Sequence, residues 1–467
     1  MNNFQKNLLR AVAFTLVIAT LAISVCSCGK NISEVEVITT EHYSVSAGMV
    51  TYSLYDSYYY YVNMFGAQGM LLYFGIDTAV SLKNQYADTA TKKTWFDVFK
   101  TDAIDGFCNS LAMCEAAIAD GVELSDIDQK FIQSEIDEIA EMGAKQNMSI
   151  DEYIEYIYTE GVTVADVRKS LEIYRLANKK RYKDFNEAKV TDGEINDDLK
   201  ANGDKYLQRE LIYFECVLSN ESEKNPTIKE YAKRLSEATT EADFRAIVAE
   251  FLASDVCADT KKEVVSITQK NNADDENKGD FDKWLFASDT EIGDTFLSES
   301  TVSHTVYMVL TDPAMDISGT KNIYTMLFSA DVYGSDDGAK AKAEEIYAQW
   351  KAEGETIEKF KELAAKYTTD YASTYSGGQY FNVMKGDLIT ELDTWLFDDA
   401  RAEGDHAIVK TAYGYHIVVY VGAGEPAWKV PIIETIKDDK TTSKMQSYME
   451  LYTVTIIQGN LKYVQGR

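Results

Sequence analysis

The sequence contains few of the residues that would point to a metal site or a flexible linker. Its 467 residues include four prolines, four histidines and six cysteines. Four prolines exclude a Pro-rich linker, and four histidines argue against a histidine-based metal site. The cysteines at positions 108, 114, 216 and 257 form no CxxC motif and have no metal-ligand spacing. We therefore expect neither a metal nor a cofactor.

Basic residues are scarce relative to acidic ones. The chain has 46 Lys and Arg against 76 Asp and Glu, a formal net charge of −30. Because the acidic excess is spread along the chain, the surface lacks the basic footprint that nucleic-acid binding requires, and we expect no nucleic-acid partner. Such a surface suits a soluble protein outside the cytoplasm. The length predicts about three domains, and a hydrophobic content of 45% is enough for ordinary cores.

The chain begins with a segment typical of a secretion signal. Lys6 and Arg10 precede a mostly apolar run, residues 11–25, which is shorter than the ~20 residues that span a bilayer. The run ends in VCSCGK, which resembles a bacterial lipoprotein cleavage box with Ser27 before Cys28. The resemblance implies that residues 1–27 are removed and that Cys28 carries a lipid anchor. Lipid on Cys26, or an ordinary secretory signal, are the alternatives. Residues 28–42 are interpreted as a polar tether.

Residues 43–204 are predicted to be helical. Ser125, Ser149, Thr163 and Thr191 are each followed three residues later by Asp or Glu, which is typical of a helix start. A run rich in tyrosine and methionine, residues 52–74, lies near the beginning of this region. It is interpreted either as part of the helical core or as an adaptable surface for unfolded chains.

Two segments downstream share an order of motifs. The tripeptide WLF occurs at 284–286 and at 395–397, and in both places six residues separate it from a Gly-Asp pair. His304 and His416 follow in strand-like stretches, and FECVLS upstream of the first WLF parallels YTMLFS upstream of the second. This order favours a duplicated domain over residues 205–312 and 319–424, rather than chance similarity. Cys216 and Cys257 both fall in the first copy and would pair only if they meet in space.

The second copy resembles the parvulin-type peptidyl-prolyl isomerases. The resemblance rests on the opening strand NIYTMLFS, two helices, the Gly-Gly turn of SGGQYF and the closing strand GYHIVVY. It implies a catalytic site and a pocket for the proline ring. The catalytic residues would be Asp370, His416, Thr325 and Thr411, and the pocket residues Leu388, Leu392 and Phe397. Thr325 replaces the histidine that the family has on this strand. A core histidine is the alternative reading of His416.

The resemblance implies an α+β chain and a role in protein folding. A helical N-terminal domain, similar in layout to the chaperone region of PrsA- and SurA-type foldases, would precede two tandem parvulin-like domains, each a small antiparallel sheet covered by helices. Residues 425–467 would form a C-terminal helix and strand that return to the helical domain. The expected function is a membrane-anchored foldase that binds unfolded or newly secreted polypeptides and isomerises X–Pro bonds.

The first copy departs further from the family pattern. Glu215 is expected at the opening histidine position, and the Gly-Gly turn is missing. This copy is therefore interpreted as a scaffold or a peptide-binding module. A non-catalytic holdase that uses both copies only for binding is the main alternative function. A substrate-binding lipoprotein of a transporter finds less support, because the N-terminal third is helical. The oligomeric state stays open.

Overall fold

A computed structural model describes residues 31–257, 262–271, 279–371 and 373–466. The predicted α+β class is confirmed, because a helical region is followed by two small antiparallel sheets with helices. Within the described ranges, no helix is both long and apolar enough to cross a bilayer. The predicted signal segment and Cys28 lie outside the described residues.

The N-terminal domain packs its helices around one apolar core. Its elements are β1 (Glu36–Thr39), β2 (Ser44–Ser46), α1 (Ala47–Gly69), β3 (Tyr86–Asp88), β4 (Lys93–Thr94), α2 (Trp95–Ala119), α3 (Asp126–Lys145), α4 (Ile150–Ile157), α5 (Val164–Glu187) and α6 (Asp192–Asn202). Capping boxes at Ser125, Ser149, Thr163 and Thr191 start the last four helices, as predicted. Each box satisfies backbone N–H groups that have no partner within the helix.

The predicted tether over residues 28–42 is wrong where the structure describes it. Strand β1 pairs with β2 on one side and with a C-terminal strand, Thr455–Ile456, on the other. Val37 and Ile38 are fully buried. The pairing and burial of this strand outweigh its polar composition, so the segment is part of the helical domain.

Two sheet domains follow the helical domain. The first contains β5 (Leu207–Val217), α7 (Asn225–Ser236), α8 (Glu241–Leu252), β6 (Val265–Lys270), α9 (Asp280–Leu285), β7 (Thr295–Glu299), β8 (Ser303–Val309) and β9 (Ala314–Met315). The second contains β10 (Gly319–Phe328), α10 (Ala330–Tyr333), α11 (Asp336–Ala352), α12 (Ile357–Tyr367), β11 (Gln379–Val383), α13 (Thr390–Leu396), β12 (His406–Thr411) and β13 (Gly414–Pro426).

The two sheet domains share one topology. Their strand orders are β6-β5-β8-β7 and β11-β10-β13-β12, so the first and fourth strands of each domain are central, and β9 pairs with β5 outside this order. The Gly-Asp pairs also occupy the same place. The amide of Gly293 donates to the carbonyl of Val309 at 2.9 Å, and that of Gly404 donates to Tyr420 at 2.8 Å. Val309 and Tyr420 are therefore equivalent positions.

The expected match of His304 with His416 is wrong. His416 stands four residues before Tyr420. The residue four positions before the equivalent Val309 is Thr305. His304 lies one residue earlier, on the sheet face that carries Val306 and Met308 into the core. Successive strand residues point to opposite faces, so a shift of one residue moves a side chain to the other side of the sheet.

The opening strand of the first sheet domain needs the same correction. Tyr213 pairs with Tyr307, which stands two residues before Val309, just as Thr325 pairs with Val418, two residues before Tyr420. Tyr213 and not Glu215 therefore occupies the position of Thr325.

The C-terminal segment lies against the helical domain. It consists of α14 (Lys429–Leu451) and β14 (Thr455–Ile456). Tyr448 of α14 belongs to the core of the helical domain, and its hydroxyl accepts a hydrogen bond from the fully buried Nζ of Lys180 at 2.6 Å. The same ammonium donates to Asp184 at 2.5 Å, so the buried charge is paired.

Candidate active site

His416 lies on the central strand β13 and contacts hydroxyl groups from both neighbouring strands. Its Nδ1 is 3.3 Å from Thr325 Oγ1 on β10, and its Nε2 is 3.1 Å from Thr411 Oγ1 on β12. All three side chains are buried, with exposed fractions of 7%, 3% and 2%. A neutral imidazole has one donor and one acceptor nitrogen, and a hydroxyl serves as either, so both contacts can be satisfied.

Burial keeps this imidazole uncharged. It lowers the pKa of His416 to about 4, although the carboxylates of Asp370 and Glu391 raise that pKa. At neutral pH the ring therefore carries no charge and acts through hydrogen bonds alone.

Asp370 follows helix α12 and is linked to Tyr380, a residue that the sequence reasoning missed. The Tyr380 hydroxyl on β11 donates a hydrogen bond to Asp370 Oδ2. Burial, and then the neighbouring Asp370 carboxylate, raise the pKa of Tyr380, so the phenol stays protonated and keeps donating. Tyr380 stands two residues after the Gly-Gly turn in SGGQYF, and this position close to a family motif was the available signal.

The Gly-Gly turn lets strand β11 approach the strand that carries Thr325. Gly378 has a φ of +85°, and a Cβ atom there would lie 2.4 Å from the Thr325 carbonyl oxygen. The Gly378 carbonyl accepts a hydrogen bond from the Thr325 amide at 2.7 Å. Only glycine combines this backbone conformation with so close a contact.

An apolar cluster borders the Asp370 side of the site. Its buried members are Ile323, Val383, Leu396 and Tyr420, and Tyr380, Leu388, Trp395 and Phe397 pack against them. Two of the three predicted pocket residues, Leu388 and Phe397, therefore lie together. Leu392 is buried on α13 but is not part of this cluster. Tyr380 belongs to the cluster through its ring and to the polar site through its hydroxyl.

The loop that carries Asp370 is also the contact with the helical domain. Tyr371 packs against Phe131 of α3 with ring centroids 5.7 Å apart, and Tyr375 stacks on Tyr182 of α5 at 5.1 Å. Tyr375 is only 9% exposed although it lies in a single 3-10 turn, Thr374–Ser376, between α12 and β11. The sequence contained no signal for this contact.

Arg175 of α5 occupies the centre of this contact. Its guanidinium carbon lies 4.5 Å, 4.6 Å and 5.4 Å from the ring centroids of Phe131, Tyr371 and Tyr375. Its Nε donates to Asp128 Oδ1 at 2.7 Å. Burial alone would raise the pKa of Asp128, but Arg175, Lys179 and the Ser125 amide outweigh it and hold that pKa below its ordinary value.

Comparison with known proteins identifies the second sheet domain. Residues 316–422 match the family described as the PPIC-type PPIASE domain. This segment is a parvulin-type peptidyl-prolyl isomerase domain, as the sequence predicted. No curated protein sequence matches the chain significantly.

Three solved structures are similar to larger parts of the chain at low identity. PrsA from Bacillus subtilis is 16% identical, with 79% of this chain and 93% of that chain covered and a TM-score of 0.24. The peptidylprolyl isomerase PrsA from Bacillus anthracis is 14% identical, with 60% and 96% covered and a TM-score of 0.19. A SurA-like chaperone from Campylobacter jejuni is 13% identical, with 69% and 78% covered and a TM-score of 0.13.

Proposed function

We propose that this chain is an extracytoplasmic foldase that binds unfolded, proline-containing polypeptides and catalyses cis–trans isomerisation of their X–Pro bonds. The observation that carries the proposal is the isomerase domain at residues 316–422. The VCSCGK motif supports the further proposal that lipid on Cys28 anchors the protein to the cell membrane, on its extracytoplasmic face.

The site offers what this reaction needs. The barrier of about 18–20 kcal/mol arises from amide resonance, which is lost as the bond twists, so no nucleophile, metal or cofactor is required. In our proposal the apolar cluster at Leu388 and Phe397, with Leu392 nearby, receives the proline ring. Asp370, His416, Thr325 and Thr411 provide the polar side, where hydrogen bonds favour the twisted amide over the planar forms.

The replacement of the family's histidine by Thr325 should make the enzyme slow. The Thr325 hydroxyl does contact His416, but it reaches less far towards a substrate than an imidazole and so offers that substrate one polar contact fewer. Losing one buried polar contact costs on the order of 1–3 kcal/mol, which corresponds to a roughly ten- to hundredfold lower rate. The same replacement favours a second candidate function, a holdase that only binds peptides.

The helical domain supports a role in client binding. Several large apolar side chains near the end of α1 are exposed, among them Leu71 at 57%, Leu72 at 73% and Tyr73 at 69%. Contiguous exposed apolar surface of this kind marks sites of protein interaction. We propose four functional units: a helical client-binding domain at 43–204 that also includes the preceding strand β1, a non-catalytic sheet domain at 205–312, the isomerase at 319–424, and a segment at 425–467 that joins the isomerase to the helical domain.

An isomerisation assay tests the proposal. Exchange of a short prolyl peptide between its cis and trans forms should be faster with the full chain than in buffer. Asp370→Ala and His416→Ala should lower this rate. His304→Ala is the matched control, because His304 lies in the other sheet domain on the opposite sheet face. If His304→Ala lowers the rate as much as His416→Ala does, the site assignment is wrong.

A further inference from the structure

The helical domain contains a cavity walled by tyrosines. Its volume is about 220 Å³, and its ring-bearing lining residues are Tyr52, Tyr59, Tyr60, Tyr153, Tyr158 and Tyr174. These residues come from helices α1, α4 and α5, except Tyr158, which directly follows α4. We call this space the tyrosine cavity. It lies in the helical domain, and none of its lining residues belongs to the isomerase domain.

The tyrosine cavity is also acidic. Asp56, Glu135 and Glu138 line it, and no lysine, arginine or histidine of the described residues does. Burial is the main cause of the raised pKa of Tyr52, and the negative charges of Asp56 and Glu135 add to it. Aromatic rings attract a cation over their faces, and carboxylates add a direct electrostatic attraction.

The cavity opens onto an exposed apolar surface. Tyr60 and Met64 line it and are 40% and 41% exposed, so they form its mouth. Tyr61, whose ring contacts that of Tyr60, and Phe65, whose ring contacts that of Tyr61, are exposed as well. One extended peptide could therefore place a side chain in the cavity and adjacent apolar side chains on this surface.

We propose that the tyrosine cavity binds the side chain of a lysine or arginine in an unfolded polypeptide, with apolar residues beside it on the exposed surface. The inference rests on the proposed client binding and specifies which segments are bound. A cavity near 150 Å³ holds one benzene molecule and small-molecule sites span about 300–1,000 Å³, so a cavity of about 220 Å³ suits a single side chain.

The charge of the chain favours a cationic client over a second copy of the same protein. Two chains with a formal net charge of −30 repel each other, whereas a basic peptide segment is attracted to both the cavity and the surrounding surface. Binding should therefore weaken as the salt concentration rises.

Fluorescence anisotropy with three labelled peptides tests the inference on the full chain. The peptides are proline-free, so that they do not occupy the isomerase site, and share apolar residues around a central lysine, norleucine or glutamate. The order of affinity should be lysine, norleucine, glutamate. The triple variant Asp56→Asn, Glu135→Gln, Glu138→Gln should weaken binding of the lysine peptide about tenfold and leave the norleucine peptide within about twofold.

A matched control separates the cavity from the overall negative charge. The variant Asp102→Asn, Asp105→Asn, Glu141→Gln removes the same charge from exposed positions that do not line the cavity. It should change binding of the lysine peptide less than twofold. Tyr60→Leu is a second cavity variant at an exposed position, where folding is not at stake. It keeps apolar area but removes a ring, so it should weaken the lysine peptide more than the norleucine peptide.

The outcomes distinguish this inference from the proposed function. If lysine and norleucine peptides bind equally, or the control variant weakens binding as much as the cavity variant, the cationic site is refuted while client binding stands. If none of the peptides binds, client binding by the helical domain is itself refuted, whatever the isomerisation assay shows.

Discussion

Replacing Arg175 should loosen the contact between the isomerase domain and the helical domain. Arg175 is 4% exposed and Asp128 is fully buried, so Arg175→Ala leaves a buried carboxylate with only Lys179 as a charged partner. Removing one partner of a buried ion pair costs about 3–5 kcal/mol. Lys179 remains, but the cation–π contacts with the three rings are lost, so we expect a loss of about 3 kcal/mol.

Urea unfolding followed by circular dichroism measures this effect. With a slope of about 3 kcal/mol per molar urea, the midpoint should fall by about 1 M. Arg181→Ala is the matched control on the same helix, because Arg181 and its partner Asp438 are 44% and 54% exposed. Exposed pairs contribute about 0–1 kcal/mol, so its midpoint should move by at most about 0.3 M. Equal shifts for the two variants would refute the reasoning.

The rate of prolyl isomerisation should also fall in Arg175→Ala, because Tyr371 adjoins Asp370.

Three further predictions concern pH, backbone and anchoring. Between pH 6.5 and about 4 the unfolded chain binds a proton at His416 that the folded chain excludes. The free energy of unfolding should therefore fall by about 3 kcal/mol as the pH drops through this window. His416→Gln should remove this pH-dependent contribution in urea titrations. Gly378→Ala should destabilise the protein by about 1–3 kcal/mol more than Gly386→Ala in the same titrations. Both glycines have a positive φ, but only at Gly378 would the added Cβ clash with backbone atoms. Intact-mass measurement of membrane-purified protein should show a lipid-modified chain that starts at Cys28, and an unmodified chain with another start would contradict the anchor.

Local signals in the sequence predicted much of the helical domain. A capping box lies within four consecutive residues, so Ser125, Ser149 and Thr163 could be identified without knowledge of the fold. The WLF and Gly-Asp motifs likewise located the shared topology of the sheet domains, because in both WLF ends a short helix and Gly-Asp lies in the turn that follows.

Features that depend on distant partners could not be predicted in this way. The strand at Val37 and Ile38 pairs with Thr455–Ile456, and no local pattern reveals a partner at the other end of the chain. The expected match of His304 with His416 is wrong because sequence spacing does not fix register to one residue. The Arg175 contact joins residues that are far apart in the sequence, and Tyr380 acquires its role only through its hydrogen bond to Asp370.

The most direct test of the account is to compare wild type with Thr325→His in the prolyl-peptide exchange assay. Thr325→His restores the family's residue opposite His416, and its folding is verified by urea unfolding, since a larger side chain enters a buried position. The account predicts that wild type exceeds the buffer rate and that Thr325→His exceeds wild type. If both folded proteins leave the exchange at the buffer rate, the site only binds peptides and the claim of catalysis is wrong.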